Sequence, residues 1–362
     1  MSIIAKTRDW YGRFERPISS ISLITGFIFN AFTLKRVDMF WENFWILGHI
    51  VIVGVFILLI QIQENEAGSE GNPKKIHFWY VNVLQFFFGG LLSTYLVFYF
   101  RSTDIFVTWP FILILVLAFI ANESMKRHYM RFGFQIGLFF LSIYSFAIFL
   151  LPVILHKIGD QIFLLSGFAS LFIIFSFILL LFFLIKDKRL FNKKTFIYII
   201  LVVYSLINIL YFTNLIPPIP LSLKDGGVYH NVERNQNGGY NISKEVYQWK
   251  DYFKLYNDYK QTPGSPVFAF SAIFSPENLD IIIIHEWQYY ENQENQWQTM
   301  STIRLPVVGG REGGFRTFSK LSNLKEGKWR VNIETEFGQT ISRLRFKVIS
   351  ADTEPLLVSD IQ

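Results

Sequence analysis

Residues 132–155 read FGFQIGLFFLSIYSFAIFLLPVIL. The run carries no charge, and a helix of this length spans the roughly 30 Å hydrocarbon core of a bilayer. Six more runs of the same character lie on either side, at 18–34, 44–62, 78–100, 105–121, 161–185 and 195–216. None of the seven contains Asp, Glu, Lys or Arg. Beyond Ile216 the chain becomes an ordinary mixture of polar and apolar residues. The expected fold is therefore an all-α membrane bundle of about seven transmembrane helices over residues 1–216, followed by a mainly-β, antiparallel sandwich-like domain over 217–362.

The net charge is +6. The surplus lies wholly in residues 1–216, which hold 18 Lys/Arg and 11 Asp/Glu, against 16 and 17 in residues 217–362. Positive charge confined to short loops between apolar runs sets topology and does not build a basic stripe, so nucleic acid is not an expected partner. The chain has no cysteine, which excludes disulfides, thiolate catalysis and Cys-based zinc sites.

The basic residues alternate from loop to loop. The N-terminal tail (Lys6, Arg8, Arg13, Arg16) and the loops with Lys74 and Lys75, with Lys126, Arg127 and Arg131, and with Lys186, Lys188, Arg189, Lys193 and Lys194 hold 14 of the 18. The opposite set holds only Lys35, Arg36, Arg101 and Lys157. Positive-rich loops face the cytoplasm. The expected placement is thus a multi-pass protein of the bacterial inner (plasma) membrane, with a cytoplasmic N-terminus and a periplasmic C-terminal domain. Run 18–34 is followed by no convincing cleavage site and reads as a retained first span. Trp41, Trp45, Trp79, Tyr80, Tyr99, Trp109 and Tyr129 fall at or beside run ends, where amphipathic rings prefer to sit.

Proton pumps and ion-coupled transporters usually carry ionisable groups inside the bilayer. His49 is the only titratable imidazole in these runs and reads as a helix-contact residue. Asn30, Asn82, Gln85, Gln135 and Asn208 read as interhelical polar contacts, and Gly89, Gly90, Ser93, Gly167 and Ser170 as close-packing positions. Pro110 and Pro152 lie near run ends and shape helix termini.

Pro217, Pro218 and Pro220 make a stiff exit from the last run. Strand-like segments follow. Gly227–Arg234 and Tyr240–Ser243 flank the turn sequence Asn235-Gln-Asn-Gly-Gly239. Val246, Trp249, Phe253 and Tyr256 recur every three to four residues, which predicts a short amphipathic helix over 244–260. Segments 267–274, 279–290, 300–307, 328–336 and 340–349 alternate or are apolar throughout and predict strands, with Phe268, Phe270 and Phe274 on one face. Ile281 to Ile284 suit a central or doubly covered strand. Phe337-Gly338 is a hairpin connection. The last dozen residues are expected to fray.

The densest polar cluster is Gly309-Gly-Arg-Glu-Gly-Gly-Phe-Arg316. Its glycines permit turns closed to other residues, and Arg311 and Arg316 could present guanidinium forks to a carboxylate or phosphate. The equally supported alternative is a hairpin with an internal Arg–Glu pair. His285 and Trp287 share one face of their strand and Glu286 takes the other. The candidate ligand or partner surface is therefore Arg311, Glu312, Arg316, His285 and Trp287. No metal site and no cofactor is expected, because adjacent His285 and Glu286 point apart and a zinc site joining His230 to His285 needs ligands from separate strands. No phosphate-binding loop, Gly-x-Ser-x-Gly elbow or His-Glu-x-x-His pattern occurs, and no catalytic residue is assigned.

The segments His285-x-Trp287, Gly309–Arg316, Gly327-Lys-Trp-Arg-Val331, Glu334-Thr-Glu-Phe-Gly338 and Arg345-Phe-Lys-Val348 resemble a bacterial domain of unknown function. Leu215–Leu223 and Gly227-Val-Tyr-His230 are similar to the junction that joins that domain to a multi-span membrane region. The resemblance implies a bacterial inner-membrane protein with a periplasmic β domain and supplies no catalytic residue.

Two functions fit these readings. In the first, the bundle anchors a non-enzymatic envelope module, whose partners besides the lipid bilayer are a glycan, a lipid head group or a membrane protein. In the second, the membrane part is an enzyme or transporter acting on lipid-linked substrate, with the β domain as accessory.

Overall fold

The computed structural model describes residues 25, 27–34, 36, 38–69, 78–102, 105–124, 132–185, 193–236, 238–246, 249, 254–353 and 355–362. They fall into two compact units, one of Met1–Arg101 with Trp109–Ile216 and the other of Ser102–Thr108 with Pro217–Gln362.

The helical unit holds α1 (27–33), α2 (Phe40–Ser69), α3 (Phe78–Arg101), α4 (Ile105–Ser124), α5 (Phe132–Leu155), α6 (Asp160–Leu184) and α7 (Lys193–Phe212). Among the described residues, five helices are long and apolar enough to cross a membrane: Phe40–Asn65, Tyr80–Phe100, Phe132–Leu155, Asp160–Leu184 and Lys194–Phe212. Within α4 the described residues give a shorter apolar helix, Thr108–Leu117, and most of run 18–34 lies outside the described residues.

α5 sits at the centre and contacts α2, α3, α6 and α7. Its polar groups are used internally, as a low-dielectric setting requires. Gln61 Nε2 donates to Gln135 Oε1 at 3.1 Å, Tyr95 Oη to the Ser142 carbonyl at 2.7 Å, and Asn208 Nδ2 to Tyr144 Oη at 3.2 Å. A Cβ on Gly167 would stand 2.8 Å from Tyr144 Oη, so the glycine is what lets α6 approach α5. His49 bonds the Trp45 carbonyl of its own helix at 2.9 Å, and its ring packs on Phe87 and against Gly90. It is a packing residue. Outward positions of α6 and α7 such as Phe168, Phe172, Phe183, Tyr198 and Leu201 are exposed apolar groups, the surface that lipid would cover.

The C-terminal unit contains β1 (Ser222–Tyr229), β2 (Asn231–Arg234), β3 (Tyr240–Glu245), β4 (Asn257–Gln261), β5 (Pro266–Phe274), β6 (Ile281–Glu291), β7 (Gln296–Val307), β8 (Phe315–Ser322), β9 (Gly327–Thr335), β10 (Thr340–Ser350) and β11 (Leu357–Ile361). They form three sheets of order β1-β5-β8, β4-β10-β9-β6-β7 and β11-β3-β2. All pairings are antiparallel except β4 with β10.

The β1-β5-β8 sheet lies between the other two. On one side Val267 and Ala269 join a core with Trp287, Tyr289, Trp329, Val331, Phe346 and Val348 of the five-stranded sheet. On the other, Phe268 and Phe270 pack with Val232 and Ile242 of the small sheet. β5 is therefore covered on both faces, which explains why its apolar residues do not alternate with polar ones. β6 is central in its sheet, one of the two alternatives expected of it, and it is not doubly covered, since Ile282 and Ile284 on its outer face are only half-buried.

Two further expectations are corrected. Residues 244–260 are not one helix: 244–245 end β3 and 257–260 belong to β4, with 247, 248 and 250–253 outside the described residues. Val246 and Trp249 are exposed. The last residues do not fray, because β11 pairs with β3 from Leu357↔Glu245 to Ile361↔Asn241. The hairpin at Phe337-Gly338 forms as expected, with Gly338 at φ 78° and its N–H bonded to the Thr335 carbonyl.

Candidate functional site

The glycine-rich loop connects β7 to β8. Gly309 presses against the chain at Pro276, where a Cβ would come within 1.9 Å of the Pro276 carbonyl oxygen. Gly310 and Gly314 take φ of 90° and 83°, and a Cβ on Gly314 would meet the Ala272 backbone at 2.8 Å. Three of the four glycines are thus required by close approach or by left-handed backbone. Arg311 and Glu312 are exposed, and Arg316 is half-buried on β8. The Arg311 guanidinium lies 5.1 Å from the Phe315 ring centre.

His285 and Trp287 do not join them. Both are 0% exposed, on the inward face of β6. His285 Nε2 and Nδ1 lie 2.9 Å from Ser271 Oγ and Ser319 Oγ, and Trp287 Nε1 donates to the same Ser319 Oγ at 2.9 Å. A neutral ring completes the chain in either tautomer, donating through one nitrogen to a serine hydroxyl and accepting through the other from the second serine, while Trp287 donates to Ser319. Burial pulls the imidazole down to about 4. The pair is an inter-sheet polar bridge with no path to a ligand. The reason is parity, because the strand face that looked available is the one that packs on β5 and β8.

His230 pairs with Glu245: Nε2 lies 3.2 Å from Oε1, and the ring stacks on Tyr259 at 4.2 Å. Among the described residues no three His, Asp or Glu gather as a metal-binding group.

One concave feature of the β unit is a cavity of about 570 Å³ beside β10. β4 begins only at Asn257, opposite Phe346, so residues 343–345 of β10 run on past it. The space is lined by the bare backbone of Gly226 and Gly227, by Lys244 and Glu245 at the end of β3, by Asn257 and Tyr259, and by Arg343 and Arg345. Asn257, part of that lining, has a buried Oδ1 without a hydrogen-bond partner among the described residues. An orphaned buried acceptor is costly unless something donates to it. Glu245 is already engaged, accepting from the Lys260 N–H at 2.7 Å and holding His230. Burial pushes its carboxyl up, but these bonds and the nearby charges outweigh that and hold it below the usual carboxylate range. The cavity is therefore lined by three cations, of which Lys244 pairs with Asp360 Oδ2 at 2.8 Å and Arg343 donates to Asn332 Oδ1 at 2.6 Å, and by one committed carboxylate, with the buried Asn257 Oδ1 at its wall.

None of this set was singled out from sequence. Arg343 and Arg345 read as the polar half of an alternating strand, and Asn257 lay in the segment that looked helical. The one available signal was the Gly226-Gly227 pair within a strand, which marks close backbone approach.

The helical unit has its own cavity of about 430 Å³, lined by apolar side chains of α2, α5 and α6 that include Leu47, Val51, Phe139, Phe146, Ile173 and Phe177.

Residues 282–348 match a family model described as "Protein of unknown function (DUF2914)". This agrees with the resemblance drawn from the C-terminal motifs, and the matched segment runs from β6 to β10. No curated protein matches the chain. Among solved structures, a Pseudomonas fluorescens alkylpurine DNA glycosylase, AlkC, bound to DNA containing an abasic site analog, aligns at 8% identity over 87% of this chain and 99% of its own, with a TM-score of 0.21. A likeness at that score bears on neither fold nor function.

Proposed function

We propose that the chain is a multi-pass protein of the bacterial inner membrane whose sandwich-like β unit faces the periplasm and binds an anionic envelope ligand, a glycan or a lipid head group, in the cavity beside β10. The observation that carries this reading is a recess lined by Lys244, Arg343 and Arg345, with Asn257 in its wall and that residue's buried Oδ1 unbonded among the described residues. A sugar or glycerol hydroxyl supplies the missing donor, and a carboxylate or phosphate meets the guanidinium groups. Binding is favoured over catalysis because the cavity's one carboxylate is tied to His230 and the Lys260 N–H.

The test is calorimetric titration of the full-length protein in nanodiscs with galacturonic acid and with glycerol 3-phosphate. Saturable binding of either is expected, weakened by Lys244→Ala and Asn257→Leu. Binding indifferent to both substitutions would remove the cavity from consideration, and preference for one probe separates glycan from head group.

A second reading follows from the apolar cavity among α2, α5 and α6, which suits an acyl chain and keeps open a membrane-embedded enzyme or transporter for lipid-linked substrate. Ala169→Phe would fill that space. A loss of phenotype in this variant with galacturonic acid binding intact would favour the second reading.

A further inference from the structure

The five-stranded sheet turns one face to the core and the other outward, and the outward face is organised in cross-strand rows. Lys347 on β10 stands opposite Lys328 on β9, and Lys328 lies 5.8 Å from the ring centre of Tyr290 on β6, whose partner on β7 is Trp297. In the next row Arg345 stands opposite Arg330, then Gln288 and Thr299. In the third, Arg343 stands opposite Asn332, then Glu286 and Thr302. Glu334 and Ile284 follow in the fourth.

Like charges directly opposite each other oppose strand pairing. Here Lys347/Lys328 and Arg345/Arg330 occupy consecutive rows on one face. The aromatic rings at the same end are held close: Tyr290 and Trp297 have centroids 5.1 Å apart, and Arg330 lies 4.2 Å from the Trp297 ring centre. The arrangement is fixed from beneath. Asn332, only 3% exposed, accepts from Arg343 Nε at 2.6 Å and donates to Glu286 Oε2 at 3.2 Å, while Gln288 Oε1 accepts from Arg330 Nε at 2.6 Å. Of the carboxylates on the face, Glu286 and Glu334 lie in the third and fourth rows, and Asp258 of β4 stands beside Lys347 at the far end of the first row from the rings, leaving the face a surplus of cations.

A β-bulge produces this clustering. The register of β6 with β7 shifts between Trp287↔Ser301 and Gln288↔Thr299, which leaves Met300 as the extra residue. Without it, Trp297 would share the inward parity of Ile303, Leu305 and Val307. With it, the indole joins the charged face.

The geometry points to this outward face, from Arg345 through Arg330 and Lys328 to Tyr290 and Trp297, as a binding platform for an extended anionic glycan. The inference rests on the cavity reading and deepens it. Arg345 both lines the cavity and opens the second row of the platform, so a chain whose acidic end group sits in the cavity continues over the sheet. Sugar rings stack on Trp297 and Tyr290, and repeating carboxylates or phosphates meet cations spaced about 6.8 Å along each strand and about 4.8 Å between strands. A neutral polymer lacks the second term, and a polyanion without sugar rings lacks the first.

The test titrates the full-length protein, in nanodiscs of zwitterionic lipid, with galacturonic acid, its linear octamer, maltooctaose, inorganic polyphosphate and a single-stranded DNA dodecamer. The octamer is expected to bind at least about tenfold tighter than the monomer, with an advantage that falls as salt rises. Trp297→Ala with Lys328→Ala should erase that advantage and leave monomer affinity unchanged. Equal affinity for monomer and octamer, an undiminished octamer advantage in the double variant, or polyphosphate or DNA binding as tightly as the octamer would each overturn the platform. The cavity fails separately: its failure shows as octamer binding that ignores Lys244→Ala and Asn257→Leu.

Discussion

The guanidinium carbon of Arg330 lies 4.2 Å from the centre of the Trp297 ring. Two strands separate in sequence are brought to that contact by β6 between them and by the extra residue Met300. Burial, and then the neighbouring Arg343, pulls the guanidinium down to about 10, so it remains charged at neutral pH. Deleting Met300 should restore strict alternation along β7 and turn Trp297 toward the side of Ile303. In protein labelled with 5-fluorotryptophan, the ¹⁹F resonance assigned by Trp297→Phe is expected to move in the deletion and in Arg330→Ala. Arg330→Ala should cost about 1 kcal/mol or less of stability, the scale of a partly exposed cation–π contact. A Trp297 resonance unmoved by both changes would refute the bulge assignment.

His285 predicts an acid-sensitive β unit. Its folded value of about 4 lies below the unfolded value near 6.5, so the unfolded chain takes up a proton first as pH falls. The stabilising contribution is complete above pH 6.5 and is lost progressively down to about pH 4, by about 3 kcal/mol in all. Thermal melts of the β unit followed by tryptophan fluorescence should show Tm falling across that window. His285→Gln, which keeps a neutral hydrogen-bonding group, should lower Tm at pH 7.5 and flatten the slope between pH 6.5 and 4. A variant with the wild-type slope would assign the acid sensitivity to other groups.

Much of the architecture could be read from residue patterns, because the patterns are physical. Uncharged runs such as 132–155 leave a helix as the way to satisfy backbone groups in a bilayer, and alternation in Leu344, Phe346 and Val348 fixes which face of β10 packs inward. What escaped was relational. Whether the His285 face is the covered one depends on β5 and β8, which are distant in sequence. Trp297 changes face through one bulged residue, and Lys244, Asn257 and Arg343 meet only because three strands converge. Of the five residues first chosen as a surface, Arg311, Glu312 and Arg316 stay on or beside the loop, and His285 and Trp287 belong to the core.

The glycines of the β7–β8 loop should divide sharply. Gly309→Ala would set a Cβ 1.9 Å from the Pro276 carbonyl oxygen, a backbone atom that cannot swing away. Destabilisation of at least about 3 kcal/mol is expected, the scale of overpacking where no side chain can give way. Gly313 has nothing within 4 Å of a Cβ and no left-handed φ, so Gly313→Ala should be neutral or slightly stabilising. Chemical denaturation of both variants, followed by tryptophan fluorescence, measures the contrast. Equal behaviour of the two would contradict the packing of this loop on the 275–280 turn.

Topology can be tested on a single helix. Lys186, Lys188, Arg189, Lys193 and Lys194 cluster immediately before or at the start of α7, and the candidate span is Lys194–Phe212. If that cluster is cytoplasmic, one crossing by α7 carries residues 217–362 to the periplasm, however many spans precede it. The chain contains no cysteine, so single cysteines can be placed without background. In intact cells with a permeabilised outer membrane, Lys320→Cys on β8 should react with a membrane-impermeant maleimide, and Lys188→Cys should react only after the inner membrane is opened. The reverse labelling pattern would put the β unit, its cavity and its platform in the cytoplasm, out of reach of any envelope glycan.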